Sequence, residues 1–77
     1  MDIKVLFFGV IAEIASQDEI ALSNVNDTDS LKEVLLKKFP EIAKYKYLLS
    51  VNHEIVKEAK ALHNNDEVAL LPPFAGG

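Results

Sequence analysis

The chain has no cysteine and no arginine, and only three glycines, two of which close it. Without cysteine there is no disulfide, no thiolate nucleophile, no side-chain persulfide and no common structural zinc site. Without arginine there is no planar fork for phosphates or guanine edges. Eight lysines against twelve acidic residues leave a net charge of −4. That balance argues against nucleic acid as a partner and is compatible with simple solubility or with a basic protein partner. No apolar run approaches the ~20 residues that would cross a bilayer. The opening Met1-Asp2-Ile3-Lys4 has neither the basic stretch nor the apolar stretch of a secretory leader. A soluble cytoplasmic protein with no membrane contact is the expectation. His53 and His63, the two histidines, fall in turn-like stretches with no evident partner group for base catalysis and no metal-ligand spacing.

What is present fits one small domain. Of 77 residues, 49% are apolar, too many for a disordered chain and enough for a single core. Ile3 to Phe8 is β-branched and aromatic and reads as a first strand ended by Gly9. Val10 to Ser16 suits a short helical turn. Glu19 to Val25 alternates polar and apolar residues, the mark of a half-buried strand. A cap cluster at 26–30, with Thr28 as the expected N-cap, opens the main helix over 28–39, where Leu31, Val34, Leu35 and Phe39 recur at helical spacing. Pro40 stops that helix and starts a second short turn. Tyr47 to Val51 and Glu54 to Lys57 read as strands around an Asn52-His53 turn, residues 58–65 as a loop anchored by Leu62, and Glu67 to Leu71 as the last strand. One helix stripe must cover one face of one sheet, which gives a two-layer α+β domain over 1–71, with some strand pairs parallel.

The tail, 72–77, breaks this pattern. Pro72-Pro73 cannot extend a central strand, and they hold the chain stiff as it leaves the sheet. Six residues at about 3.3 Å each reach on the order of 20 Å. Gly76-Gly77 places no Cβ near the terminal carboxylate, so that end fits a slot too narrow for side chains. A Gly usage of ~7% puts glycine at both last positions in about 0.5% of chains, and a frayed end would not explain Pro72, Pro73 and Phe74 before it. A carboxylate is inert until activated. An ATP-dependent partner would convert it to an acyl-adenylate, and a sulfur nucleophile would then make a thiocarboxylate. If this chain carries sulfur, its terminus is the one site for it.

Phe7-Phe8-Gly9 after the first strand, Val51-Asn52 at the hairpin, Asn65-Asp66-Glu67-Val68-Ala69 into the last strand and the whole Pro72–Gly77 tail resemble the small subunit of molybdopterin synthase, a ubiquitin-like sulfur carrier. The resemblance runs the length of the chain. It implies a β-grasp fold with a mixed sheet and one main helix packed on one face. It implies that a ubiquitin-activating-type adenylyltransferase spends ATP on Gly77, that no cofactor is bound by the chain itself, and that Gly77 then bears the thiocarboxylate. The tail would enter the active site of the large subunit, in a complex of two copies of each, and give sulfur to cyclic pyranopterin monophosphate. Gly76, Ala75, Phe74, Pro73 and Pro72 would line the docking stretch. Strand alternation sends one of Phe7 and Phe8, and one of Leu70 and Leu71, to the helix and the other to the second face; Phe7 and Leu71 are expected among the partner contacts. The family often has a basic residue where Ala12 stands before Glu13, and a glycine near Ser16-Gln17. Both departures bear on a partner contact, not on the carboxylate. Three other readings stay open: a carrier for thiazole or tRNA thiolation, a ubiquitin-like modifier, and a plain interaction module.

Overall fold

In the computed structural model residues 2–73 are described; Phe74, Ala75, Gly76 and Gly77, with Met1, lie outside the described residues. The first strand, β1 (Asp2–Phe7), buries Ile3, Val5 and Phe7 and turns Asp2, Lys4 and Leu6 the other way. Helix α1 (Gly9–Ala15) follows at once and buries Ile11 and Ala15. It ends on Ser16 at φ 59°, whose N–H donates to the Glu13 carbonyl. Strand β2 (Glu19–Ser23) returns antiparallel to β1 with Ile3 opposite Leu22 and Val5 opposite Ile20. It stops two residues short of the expected end, because Asn24 takes φ 61° and redirects Val25 into the core.

Helix α2 (Thr28–Lys38) buries Leu31 and Leu35 completely and carries Asp29 in its first turn and Lys37 and Lys38 in its last, matching the helix dipole. Its cap is Asp27, not the expected Thr28: the Asp27 carboxylate accepts from the Ser30 N–H at 2.7 Å. That bond holds the Asp27 carboxyl below the usual carboxylate range. Thr28 is buried instead, its hydroxyl accepting from the Lys60 N–H at 3.0 Å. A second short acceptor one residue upstream freed Thr28 to clamp the 58–62 loop. Leu62, 3% exposed, anchors that loop as expected. Pro40 opens a 3-10 turn (Pro40–Lys44) that buries Ile42.

Strands β3 (Leu48–Val51) and β4 (Glu54–Val56) form a hairpin whose Asn52 and His53 both have positive φ, 49° and 73°. That is the primed turn geometry which suits the right-handed twist of strands. Strand β5 (Glu67–Leu71) lies in the middle of the sheet, whose order is β2-β1-β5-β3-β4. The β1–β5 pair is parallel and the other pairs are antiparallel. The helices cover one face over a core that joins Val5, Phe7, Val68, Leu70, Leu49 and Val51 to Ile11, Leu31, Leu35 and Ile42.

Candidate docking face and the root of the tail

The period of two decides what the uncovered face presents. Ile3, Val5 and Phe7 point to the helices, so Leu6 points away; Val68 and Leu70 do likewise, so Ala69 and Leu71 point away. Strand register lines Leu6, Ala69, Ser50 and Ile55 across four strands in one row, and Leu71 and Leu48 in the next. The result is an open groove of about 230 Å³ lined by Leu6, Phe8, Ser50, Ile55, Ala69 and Leu71, with His53 and Glu67 at one end. Ala69 and Ser50 are small enough to sit shaded between larger neighbours, at 8% and 6% exposure, and form its floor. Phe8 and Ile55 remain 43% and 47% exposed at its sides. Apolar side chains left in water in one patch of this kind mark an interface.

Phe7 does not belong to this face. It is 2% exposed, and its ring meets Phe39 edge-on with centroids 5.7 Å apart. The expectation that Phe7 contacts a partner is therefore corrected: its in-register neighbour on the helix side is Leu70, and Phe8, one residue on, takes the exposed place. Leu71 is half-buried in the groove wall. Pro72 and Pro73 follow it and are exposed. The expected site residues Phe74, Ala75, Gly76 and Gly77 lie outside the described residues. Leu6 and Ile55 were not singled out from the sequence, although the alternation of Ile3, Val5 and Phe7 already assigns Leu6 to the second face.

Because β1 and β5 are parallel, both end at the same side of the sheet. The β1–α1 junction, Phe8-Gly9, thus stands beside the tail root. Gly9 has φ 56°, and a Cβ there would lie 3.9 Å from the Cγ of Pro72.

The opposite end of the groove is tied down by Asn52. Its N–H donates to the Glu67 carbonyl at 2.7 Å, and its side-chain oxygen accepts from the Glu67 N–H at 2.9 Å. Its side-chain amide donates to Asp66 at 2.9 Å, and the second Asp66 oxygen accepts from the His63 N–H at 2.8 Å. The bond from Asn52, then that from His63, holds the Asp66 carboxyl below the usual carboxylate range. Val51-Asn52 and Asn65-Asp66-Glu67, apart in sequence, are one clasp in space, and it is structural. His53 stands 3.7 Å from Glu67 at this exposed end. Among the described residues no three His, Asp or Glu side chains are grouped to hold a metal ion. Among them, too, no helix is long and apolar enough to cross a membrane.

A chain with this sheet, and with its tail leaving the central strand, can be set beside known proteins. The ThiS family model matches residues 5–77. The chain belongs to the ThiS family. Members similar to it over nearly their whole length include the molybdopterin synthase sulfur carrier subunit of Mycobacterium tuberculosis, 30% identical over 97% of this chain and 96% of that one. The subunit of the same name in Haemophilus influenzae is 32% identical over 97% and 99%. Among solved structures, a molybdopterin converting factor subunit 1 from Pyrococcus furiosus superposes with a TM-score of 0.84 at 22% identity, covering 96% of this chain and 99% of that one. The small archaeal modifier protein 1 of Haloferax volcanii gives 0.82 at 18% identity, covering 95% and 98%. These likenesses establish the ubiquitin-like β-grasp fold for this ThiS-family chain.

Proposed function

We propose that this chain is the sulfur carrier subunit of a molybdopterin synthase, with Gly77 as the carrying residue. The observation that carries the reading is the Gly76-Gly77 end on a chain similar along its whole length to carriers of that name. The chemistry follows from the terminus. The Gly77 carboxylate attacks the α-phosphate of ATP on a ubiquitin-activating-type adenylyltransferase in the cytoplasm, and pyrophosphate leaves. A sulfur donor then displaces AMP from the acyl carbon and leaves a thiocarboxylate. The carrier docks on the synthase large subunit and gives up that sulfur to cyclic pyranopterin monophosphate. A heterotetramer with two copies of each subunit accommodates two tails. The groove of Leu6, Phe8, Ile55, Ala69 and Leu71 supports the docking step, since it is apolar, uncovered and continuous with the tail root.

The test is intact-mass analysis after incubation with ATP, a sulfur source and the cognate adenylyltransferase. One oxygen is replaced by sulfur in the wild type, and removal of Gly77 abolishes the change while the domain stays folded. Normal loading without Gly77 would sink the proposal. Conjugation of the chain to lysines, lost with Gly77, would replace it with a modifier role.

A further inference from the structure

The sheet has two outer strands, and they differ. β4 is three residues long. β2 is five residues long and pairs with β1 in an unbroken register. Hydrogen-bond parity fixes which of its backbone groups face outward. The Phe7 N–H donates to the Asp18 carbonyl at 2.8 Å, while the Lys4 N–H donates the other way, to the Asp66 carbonyl at 3.0 Å. Odd-numbered residues of β1 therefore bond to β2, and their partners in register are Ile20 and Leu22. The N–H and C=O groups of Glu19, Ala21 and Ser23 point away from the sheet, and among the described residues no other segment's backbone takes them. Natural edges are commonly blunted by proline, lysine or a bulge. β2 has none of these, and Glu19, Ala21 and Ser23 are exposed.

We propose that β2 is a self-association edge: a second copy of this chain adds its own β2 antiparallel about a two-fold axis at Ala21, joining the two sheets edge to edge. The inference goes beyond the carrier reading and does not rest on it. The occupant is a second copy because the strand is complementary to itself. In this register Ala21 faces Ala21 of the second copy and Glu19 faces its Ser23, all residues whose backbone groups point outward and can exchange hydrogen bonds. Ile20, only partly buried within one chain, is laid against Leu22 of the second copy on the helix side. Centring the pair on Glu19 instead would set two carboxylates face to face, which is destabilising. Charge completes the match. Lys4 lies beside Ala21 on the outer face, and among the described residues neither Lys4 nor Glu19 has an ionic partner within 4.0 Å. Glu19 of the second copy would stand two strand spacings across and two residues along from Lys4, about 12 Å between Cα atoms. Only alanine and serine side chains intervene. Ala21 lines an open hollow of about 360 Å³ bordered by Lys4 and Glu19, so the two long side chains have room to meet. The two-fold axis repeats the contact. The groove of Leu6, Ala69 and Leu71 stays uncovered, since its strands lie inside the seam.

Sedimentation velocity on the full chain from about 10 µM to about 1 mM tests this, because a small interface associates weakly. Expected is a rise in mass from 8.5 kDa toward twice that value. Ala21→Pro removes an outward N–H that β1 does not use, so the fold stands and self-association is lost. Glu19→Lys should weaken association about tenfold or more, and combining it with Lys4→Glu should restore it, since both pairs across the seam re-form with reversed sign. Thermal unfolding checks each variant; should Ala21→Pro fail to fold, the charge reversal and its swap decide. A wild-type chain that stays monomeric at about 1 mM overturns the proposal. So does undiminished association by Ala21→Pro, or a swap that leaves the loss uncorrected. Association abolished by Phe8→Glu and untouched by Ala21→Pro would overturn it in favour of a contact through the groove. Each of these results leaves sulfur loading at Gly77 to be judged by its own assay.

Discussion

Phe7 and Phe8 are adjacent, identical in type and opposite in consequence, and that contrast can be measured. Phe7→Ala removes a ring that is 2% exposed and packed edge-on against Phe39. Truncating a buried phenylalanine costs about 3–5 kcal/mol, a figure that includes the cavity it leaves. A 77-residue domain has, at roughly 0.05–0.15 kcal/mol per residue, about 4–12 kcal/mol in all. Phe7→Ala therefore removes roughly a quarter or more of the stability and brings a domain at the low end close to unfolding. Phe8 is 43% exposed, so Phe8→Ala should cost about 1 kcal/mol or less. Urea unfolding separates them: with a slope of about 1 kcal/mol per molar, the Phe7→Ala midpoint falls by about 3 M or more and that of Phe8→Ala by less than about 1 M. Calorimetric titration against the synthase large subunit should reverse the order of interest. Phe8→Ala stays folded and binds at least about tenfold more weakly, the behaviour of a central aromatic anchor. Equal urea midpoints would refute the assignment of faces. Wild-type binding by Phe8→Ala would refute the groove as the docking surface.

Two further outcomes follow from the clasp and the hairpin. Asp66 has a lowered carboxyl pKa, so it contributes stability that is complete above the ordinary carboxylate pKa and fades as the pH falls through its lowered value. Asn52→Ala removes the leading cause, and an NMR titration should show the Asp66 pKa move up toward the ordinary range; an unmoved value would refute that role for Asn52. His53 holds φ 73° at the second turn position, where glycine is preferred. His53→Gly should raise stability in urea by roughly 0.5 kcal/mol, relief of the left-handed backbone outweighing the added freedom of the unfolded chain; a loss of that size would count against the strain argument.

The helix–sheet layout was legible because its signals are local. Leu31 and Leu35 at helical spacing, Pro40 as a stop, Leu62 as a loop anchor and Glu67–Leu71 as a strand all stand where periodicity put them. What failed was choice between equivalent neighbours. Asp27 and Thr28 are both good caps, and the winner was settled by a loop 32 residues away that needed the Thr28 hydroxyl. Phe7 and Phe8 both suit a strand, and the winner was settled by Phe39 on the other layer. The groove was only half legible for the same reason. Alternation gives each strand two faces, but Ser50 opposite both Ala69 and Ile55 is a product of register across three strands. The chemistry proposed for Gly77 rests on composition, which leaves no cysteine to carry sulfur elsewhere, and not on the fold.

Position in the sheet explains why the tail is attached where it is. β5 is paired on both edges, to β1 and to β3, and Val68 and Leu70 are fully buried. β2 and β4 are the outer strands, and β4 is only three residues long with Glu54 and Ile55 exposed. Local opening starts at such edges, while a central strand is released only when the domain unfolds. A tail continuing β4 would swing with every opening of that hairpin. The root of a tail continuing β5 moves relative to the groove only if the whole domain comes apart. From Glu67 to Pro72 is five residue steps at about 3.3 Å, so the groove lies within about 17 Å of Pro72 along one rigid strand. A partner that grips Leu6, Phe8 and Ile55 therefore fixes the tail root as well. Amide exchange reads this out directly. The N–H groups of Val68, Ala69 and Leu70 should exchange only at the rate of global unfolding, and those of β4 much faster. Fast exchange within β5 would mean that the root is loose, and that aim must come from the partner's channel alone.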